Sequence, residues 1–211
     1  MATIKGYAQL LRRRGTYDAA ALDAILSGAR RLERLLNDLL DTAQADAGRL
    51  ALRPERIDLA ALVVAAAADA QAMTARHTVH AEVPREPVIG MWDAQRLAQV
   101  LQNLLGNALK YAPDGTQILV RLEPWQDTGQ VCVTVVDQGP GLPPDTLPRL
   151  FERFYRTPAA QASDMQGLGL GLYISRMLVE AHGGHIWAEP EGSGTAFRCV
   201  LPGLTPAKER P

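Results

Sequence analysis

The 211-residue chain has few cysteines, few aromatic residues and almost no net charge. Its two cysteines, Cys132 and Cys199, lie in apolar surroundings without a CxxC partner or a histidine at metal-ligand spacing. We expect buried free thiols, with a disulfide as the alternative. A net charge of -1 creates no overall field that would attract nucleic acid or an anionic membrane, so we expect neither as a partner.

Long hydrophobic runs are also missing. The most apolar stretch, Leu59–Ala68, is alanine-rich and too short to span a bilayer, and the N-terminus does not resemble a signal peptide. The composition is nevertheless 47% hydrophobic, which is enough to bury a core. We expect these residues to be cytoplasmic, in a parent protein that is either free or anchored to the inner membrane.

The first fifty residues follow a helical pattern. Apolar residues recur at helical spacing over residues 3–14, and again in a longer stretch from Ala19 to Ala47 that ends at Gly48. The apolar stripe of the longer stretch is wide, which favours a helical bundle. A second copy of this hairpin is the simplest source of the missing half of the bundle, so we expect a homodimer. Packing against the rest of the same chain is the alternative.

After Arg53–Pro54 the pattern changes to a mixture of helices and strands. Helical periodicity predicts helices over Leu59–Met73, from Asp93 to Pro113, and over Leu170–His182. Asp58 and Asp93 are the expected N-caps of the first two helices. Alternating or apolar runs predict strands at Ile57–Leu59, His77–Val83, Val88–Trp92, Gln117–Leu122, Gln130–Val136, His185–Glu189 and Ala196–Leu201.

The proline-rich segment Pro140–Gln166 predicts a long loop with one short helix near Leu147–Phe154. Together these elements predict an α+β sandwich with a mostly antiparallel sheet. We place the domain boundaries at 1–52 (helical hairpin), 53–204 (sandwich) and 205–211 (polar tail).

One helix carries polar side chains that packing does not explain. Asn103, Asn107 and Lys110 recur at i, i+4 and i+7 and therefore form one stripe beside the apolar face. Amide oxygens are hard ligands suited to Mg²⁺, and an ammonium group attracts phosphate. A solvated polar face is the alternative explanation.

Three glycine-containing segments lie further along the chain. Asp137 begins DQGPG directly after a strand, where its carboxylate can accept a hydrogen bond from an exocyclic amine such as that of adenine. The run from Gly167 to Leu172, GLGLGL, precedes a helix, and backbone N–H groups at such a helix start attract phosphate. The run Gly192–Thr195 precedes the last strand. Taken singly, these segments also fit a tight turn, a glycine hinge and a hairpin turn.

In combination, the order NLLGNALKY, DQGPGL, FERFYR, GLGLGL and GSGTAF resembles the ATP-binding domain of sensor histidine kinases. That family belongs to the superfamily of gyrase, the MutL ATPases and the heat-shock chaperone ATPases. The likeness runs from about Ile57 to Leu201. The upstream segments TIKGYAQLL and RLERLLNDLLDTAQADAG resemble the family's dimerisation and phosphotransfer hairpin.

The resemblance implies a Bergerat-type α/β sandwich preceded by a helical hairpin, with ATP and Mg²⁺ as cofactors and a response-regulator receiver domain as partner. It implies that Asn107 binds Mg²⁺, that Asn103 lies beside the metal, and that Asp137 binds the adenine amine. By the same resemblance, Lys110 and Tyr111 approach the nucleotide, and Arg156 reaches the γ-phosphate. The remaining implied nucleotide-binding residues shape the pocket, the lid and the triphosphate loop: Gly139, Gly141, Phe151, Phe154, Gly167, Gly169, Gly171 and Thr195.

The chain also departs from the family. The family's acceptor histidine lies in an H-E-x-x-T-P-like box just before a segment resembling Thr3–Leu11, and we expect it to be absent because the chain begins at Met1. We expect the four histidines, His77, His80, His182 and His185, to be structural or superficial. We therefore expect an ATP-dependent histidine kinase region that does not phosphorylate itself.

Two other functions remain open. An ATPase of the same superfamily would use a carboxylate one turn before the metal-binding asparagine to activate water. Asn103 occupies that place and cannot accept the proton, which favours phosphoryl transfer over hydrolysis. A non-catalytic dimerising or nucleotide-sensing module is the second alternative. The stimulus and the identity of the response regulator cannot be read from the sequence.

Overall fold

The computed structural model describes residues 18–47, 50–126, 129–162 and 168–203. The chain divides into two compact units, Met1–Leu50 and Ala51–Pro211. The boundary predicted after residue 52 lies two residues beyond this division.

A single long helix, α1 (Ala19–Asp46), forms the described part of the first unit. Asp18 caps it, because its carboxylate accepts a hydrogen bond from the Ala21 amide at 3.2 Å. Part of the predicted apolar stripe is exposed along α1, at Leu22, Leu26, Leu32, Leu36, Leu39 and Leu40. The helix predicted over residues 3–14 lies outside the described residues. Gly48, the predicted end of the longer helix, lies outside them as well.

The second unit begins with a small two-stranded sheet. Strand β1 (Glu55–Asp58) pairs antiparallel with β3 (Ile89–Trp92), so β3 does not belong to the main sheet. Between them lie α2 (Leu59–Ala72) and β2 (Thr78–Glu82). Asp58 caps α2 as predicted, since its Oδ1 accepts a hydrogen bond from the Ala60 amide at 3.0 Å.

The rest of the unit supplies the main sheet and two further long helices. In chain order these are α3 (Ala94–Tyr111), β4 (Gln117–Trp125), β5 (Gln130–Val136), a 3₁₀ helix (Leu147–Phe151), α4 (Pro158–Ala162), α5 (Gly171–Ala181), β6 (His185–Glu191) and β7 (Gly194–Pro202).

The main sheet has five strands in the order β2-β4-β5-β7-β6. Strand β2 is parallel to β4, and the other neighbours are antiparallel. The apolar face of α3 packs on this sheet, where Leu97, Leu101 and Leu104 surround the same small interior space as Val133 and Leu201. Helix α3 also contacts α2 and α5. The α+β fold with a mostly antiparallel sheet is therefore confirmed.

Two predicted loops were too long. The loop between the strands predicted at Gln117–Leu122 and Gln130–Val136 is shorter, because β4 continues to Trp125, which pairs with Gln130. Pro124 is tolerated there because β2 pairs with β4 only as far as Arg121, which leaves that side of the strand without a ladder to complete. The segment Pro140–Gln166 contains the predicted short helix but also α4, which begins at Pro158, a residue suited to the first turn of a helix.

Cys132 and Cys199 are buried and free, as expected, and burial raises the pKa of both thiols. In the described ranges, none of the helices has the length and apolar character needed to cross a membrane.

Candidate functional site

Helix α3 carries the predicted polar stripe and is fixed at its start by Asp93. This carboxylate accepts hydrogen bonds from the amides of Arg96 at 3.0 Å and Arg53 at 2.9 Å. Burial alone would raise the pKa of Asp93, but these two bonds and the Arg96 charge lower it overall. The amide of Asp93 donates to His182 Nε2 at 3.0 Å. The start of α3 is thus joined to the end of α5.

The stripe itself is half-buried at Asn103, Asn107 and Lys110. Asn103 Nδ2 donates to the carbonyl oxygen of Gly171 at 3.2 Å and to Ser175 Oγ at 3.4 Å. The Lys110 ammonium lies 4.9 Å from the centre of the Tyr111 ring. Asn103 therefore contacts α5, whereas Lys110 lies at the end of α3 beside an exposed tyrosine.

The turn after β5 approaches the end of α3. Asp137 Oδ1 accepts a hydrogen bond from the Gly139 amide at 2.8 Å, and the Asp137 amide donates to the Thr195 carbonyl at 3.0 Å. A Cβ atom at Gly139 would lie 2.8 Å from Asp137 Oδ1 and 3.5 Å from the carbonyl oxygen of Tyr111. A side chain at Gly139 would therefore displace the Asp137 carboxylate from its present position.

Asp137 is a buried carboxylate, with 7% of its surface exposed. Burial raises its pKa above the ordinary value, and the hydrogen bonds from the backbone of Gly139 and Thr195 only partly oppose this effect. A carboxylate held in this way is a strong acceptor for a hydrogen-bond donor on a ligand.

The hairpin between β6 and β7 closes tightly on the same turn. Gly141 has φ +68°, and a Cβ atom there would lie 3.2 Å from the Ser193 carbonyl oxygen. A Cβ atom at Gly194 would lie 1.9 Å from the carbonyl oxygen of Asp137. Gly194 is therefore required by this close approach, and it begins β7 rather than preceding it. Thr195, the next residue, is buried.

The predicted lid contacts the glycine segment. Phe151 is buried at the end of the 3₁₀ helix, whereas Phe154 is 62% exposed and has φ +60°. The Phe154 amide donates to the Gly169 carbonyl at 3.0 Å, and a Cβ atom at Gly169 would lie 2.7 Å from the Tyr155 carbonyl oxygen. The Arg156 guanidinium donates to the Ala160 carbonyl, within the lid.

The start of α5 follows directly from the glycine segment. Leu170, the residue before the helix, provides no side-chain cap, and the internal hydrogen bonds begin with the Ile174 amide and the Leu170 carbonyl at 2.9 Å. The amides of the first turn are thus oriented along the helix axis without a capping side chain from Leu170, which favours an anion.

Comparison with known proteins identifies the family of this site. Residues 92–205 match the family described as histidine kinase-, DNA gyrase B-, and HSP90-like ATPase, and residues 1–48 match the His Kinase A (phospho-acceptor) domain. The chain belongs to this ATPase family. Membership implies that the chain binds ATP.

Named relatives identify the branch within the family. The chain is 36% identical over 216 residues to the probable sensor histidine kinase TcrY of Mycobacterium tuberculosis, covering 100% of this chain and 45% of the relative. It is 33% identical over 178 residues to the sensor histidine kinase WalK of Bacillus subtilis, covering 82% and 28%. The chain therefore spans less than half the length of either relative.

Solved structures agree with this assignment. The mycobacterial sensor histidine kinase MprB has 31% identity and a TM-score of 0.63, over 72% of this chain and 98% of that one. Full-length ShkA in complex with AMPPNP has 30% identity and a TM-score of 0.72, over 89% and 39%. The resemblance read from the motifs is confirmed: this is the catalytic region of a sensor histidine kinase.

Within this kinase region, the structure brings several predicted residues into contact. The Asp137 turn meets the end of α3, Asn103 meets Gly171, and Phe154 meets Gly169. Asn107 lies on α3 one turn after Asn103. Gly167 lies outside the described residues, and the Arg156 guanidinium donates to the Ala160 carbonyl within the lid.

Two residues of the kinase region were missed by the sequence reasoning. Ser175 is buried and bonds to Asn103 and Gly171, and Gly194 makes the close approach to Asp137. The second could have been anticipated from the GSG run, where the first glycine suffices for a turn and the second therefore needs another cause. A serine inside an apolar helix carries no comparable sequence signature.

The four histidines have the structural positions expected of them. His182 Nδ1 lies 2.7 Å from the Leu178 carbonyl, and its Nε2 accepts the Asp93 amide, so both ring nitrogens are engaged. His77 is buried, while His80 and His185 are exposed on β2 and β6.

The unit also contains a cleft away from the predicted nucleotide residues. It measures about 490 Å³ and is lined in part by Trp125 and Trp187, whose ring centres are 5.5 Å apart. His185 stacks on Trp187 at 5.6 Å. None of the predicted site residues lines this cleft.

Proposed function

We propose that this chain binds ATP with Mg²⁺ and transfers the γ-phosphate to a histidine, from which a response-regulator aspartate receives it. One observation carries the proposal: the turn that holds the buried Asp137 carboxylate and the start of α5 both contact α3, the helix that carries Asn107 and Lys110. Asp137 would accept the adenine amine, beside the carbonyl of Tyr111. Nucleotide binding as such is supported by the match to the ATPase family and by the similarity to ShkA, whose structure contains AMPPNP.

The donor set on α3 fits a magnesium–triphosphate group. Asn107 is half-buried and carries an amide oxygen, a hard ligand, and Lys110 lies one turn further along the same helix. Bound Mg²⁺ would neutralise phosphate charge. The chain's own contribution would be to hold the phosphates between Lys110 and the first-turn amides of α5. Gly167 and Gly169 would line the triphosphate.

Transfer to a histidine is favoured over hydrolysis by the residue one turn before Asn107. Asn103 cannot accept a proton from water, and its nitrogen is bonded to α5. Arg156 would move from the Ala160 carbonyl to the γ-phosphate as the lid carrying Phe151 and Phe154 closes. A closed lid would also cover the base edge near Thr195 and Gly141.

A homodimer would complete the first unit. The leucines along α1 expose apolar side chains to solvent, and a second copy of the hairpin would bury them. This assignment agrees with the match of residues 1–48 to the phospho-acceptor domain. We also propose the receiver domain of a response regulator as the partner and the cytoplasm as the compartment.

Isothermal titration calorimetry with ATP, with and without Mg²⁺, tests the proposal. We expect binding that weakens when the metal is removed by EDTA. A labelled-phosphate assay with a histidine-containing hairpin supplied in trans then separates a kinase from a nucleotide-sensing module, which would bind ATP without labelling the hairpin. Release of free phosphate without labelling would indicate an ATPase.

A further inference from the structure

Asn103 and Ser175 connect α3 to the first residue of α5. Asn103 Nδ2 donates to the Gly171 carbonyl at 3.2 Å and to Ser175 Oγ at 3.4 Å, while Ser175 Oγ donates to the same carbonyl at 2.9 Å. The three groups form a closed hydrogen-bonded set, which we call the α3–α5 lock. Ser175 is 0% exposed, so its hydroxyl depends on these partners.

The chemistry of the lock fixes the orientation of the Asn103 amide. A carbonyl oxygen only accepts hydrogen bonds, so the nitrogen side of Asn103 must face Gly171. A Cβ atom added to Gly171 would lie 3.5 Å from Asn103 Cγ, which shows that the helices are already in contact at this point. The side chain is thus used to join two helices.

The two joined elements are the two that the proposed function assigns to the triphosphate. Helix α3 carries Asn107 and Lys110, and Gly171 opens the uncapped first turn of α5. The separation between the metal ligand and the first-turn amides therefore depends on the lock. Electrostatic stabilisation of phosphates requires that donors be held in place before the ligand arrives.

We propose that Asn103 is a positioning residue that, with Ser175, fixes the phosphate-binding start of α5 on α3. This inference rests on the proposed function and goes beyond the expectation that Asn103 lies beside the metal: Asn103 orders the start of α5 for phosphate and is not itself a metal ligand. Loss of the lock should weaken recognition of the phosphates while leaving recognition of the adenosine part unchanged.

The first test uses amide hydrogen exchange on the nucleotide-free protein. Asn103→Ala and Ser175→Ala should each accelerate exchange of the backbone amides at positions 174 and 175, relative to the intrinsic rate of each sequence, by about twofold to tenfold, the range for one net hydrogen bond. The control is Gln102→Ala, an exposed amide on the same helix, which should change nothing. Alanine is a better helix former than serine, so faster exchange in Ser175→Ala cannot be a propensity effect. Unchanged exchange in both variants would overturn the proposal.

The second test compares nucleotides by calorimetry. We expect Asn103→Ala, Ser175→Ala and the double variant to lose about the same affinity for Mg²⁺–ATP, because each variant breaks the same hydrogen-bonded set. Binding of adenosine should be unaltered. Additive losses, or equal losses for adenosine, would contradict the lock.

Asn103→Asp separates the two roles of this residue. A carboxylate keeps an oxygen ligand for Mg²⁺ but faces the Gly171 carbonyl without a donor, so we expect ATP affinity at least as low as in Asn103→Ala. Retained or improved Mg²⁺–ATP affinity in this variant would show a metal ligand and refute the positioning role. If the unaltered chain bound no ATP, the proposed function would fail, and the exchange experiment alone would still decide whether the lock exists.

Discussion

Replacing Asp137 with asparagine should weaken nucleotide binding and stabilise the nucleotide-free fold at the same time. The substitution keeps the size of the side chain and leaves an oxygen to accept the Gly139 amide, now 2.8 Å away. It removes the negative charge and replaces one acceptor with a donor. The proposed adenine amine would then meet a weaker or wrongly polarised partner.

The loss of affinity follows from the strength of a charged hydrogen bond. Such a bond contributes about 1.5–3 kcal/mol, which corresponds to about a tenfold to hundredfold weaker Kd for ATP. Calorimetry at neutral pH measures this directly. Asp145→Asn is the matched control, since it removes the same charge from an exposed carboxylate in the following loop and should leave the Kd unchanged.

The gain in stability follows from the direction of the pKa. Because burial raises the pKa of Asp137 above 3.8, the protonated form is favoured in the folded chain. The corresponding stability is fully present below pH 3.8 and is lost as the pH rises through the raised value. At neutral pH, the uncharged asparagine should therefore give a higher Tm without nucleotide, and this advantage should disappear in acid.

Thermal unfolding of the two nucleotide-free proteins between acid and neutral pH checks the second effect. An unchanged Kd for ATP in Asp137→Asn would refute the assignment of this carboxylate to adenine. A lower Tm at neutral pH would refute the argument that burying the charge destabilises the fold.

Three further predictions follow from the same structure. Asn107→Ala should abolish the dependence of ATP affinity on Mg²⁺ while preserving the metal-free affinity; equal losses with and without the metal, measured by calorimetry, would contradict a ligand role. Replacing Leu32 and Leu39 with aspartate should convert a dimer into a monomer that still binds nucleotide, because both side chains are exposed on α1; light scattering that finds a monomer before substitution would disprove the dimer. Incubation with labelled ATP should leave no acid-labile phosphohistidine on this chain, because its four histidines all belong to the second unit and none to the hairpin that would present an acceptor; labelling mapped to one of them would show the opposite.

The positions of the main elements were readable from the sequence because they depend on local patterns. The helix α3 has one apolar face that repeats every three to four residues, and Asp93 supplies its N-cap as predicted. Asp58 does the same for α2. Capping and periodicity act within a few residues, so the sequence contains all the information that they need.

The pairing of the strands was decided only by the tertiary structure. The sequence predicts both β2 and β3 as strands, yet β2 joins the main sheet beside β4 and β3 pairs with β1. The continuation of β4 through Pro124 also depends on where its neighbour ends. Pairing partners are distant in sequence, and a local pattern does not specify them.

The composition of the site was determined by the sequence, whereas the contacts within it were not. The order of the asparagine, aspartate and glycine segments was sufficient to name the family. The bond from Asn103 to Gly171 joins residues far apart in the chain, and the buried Ser175 completes it from inside an apolar helix. Whether a polar side chain binds a ligand or a neighbouring helix depends on what lies within about 3 Å of it, and only the folded chain brings those atoms together.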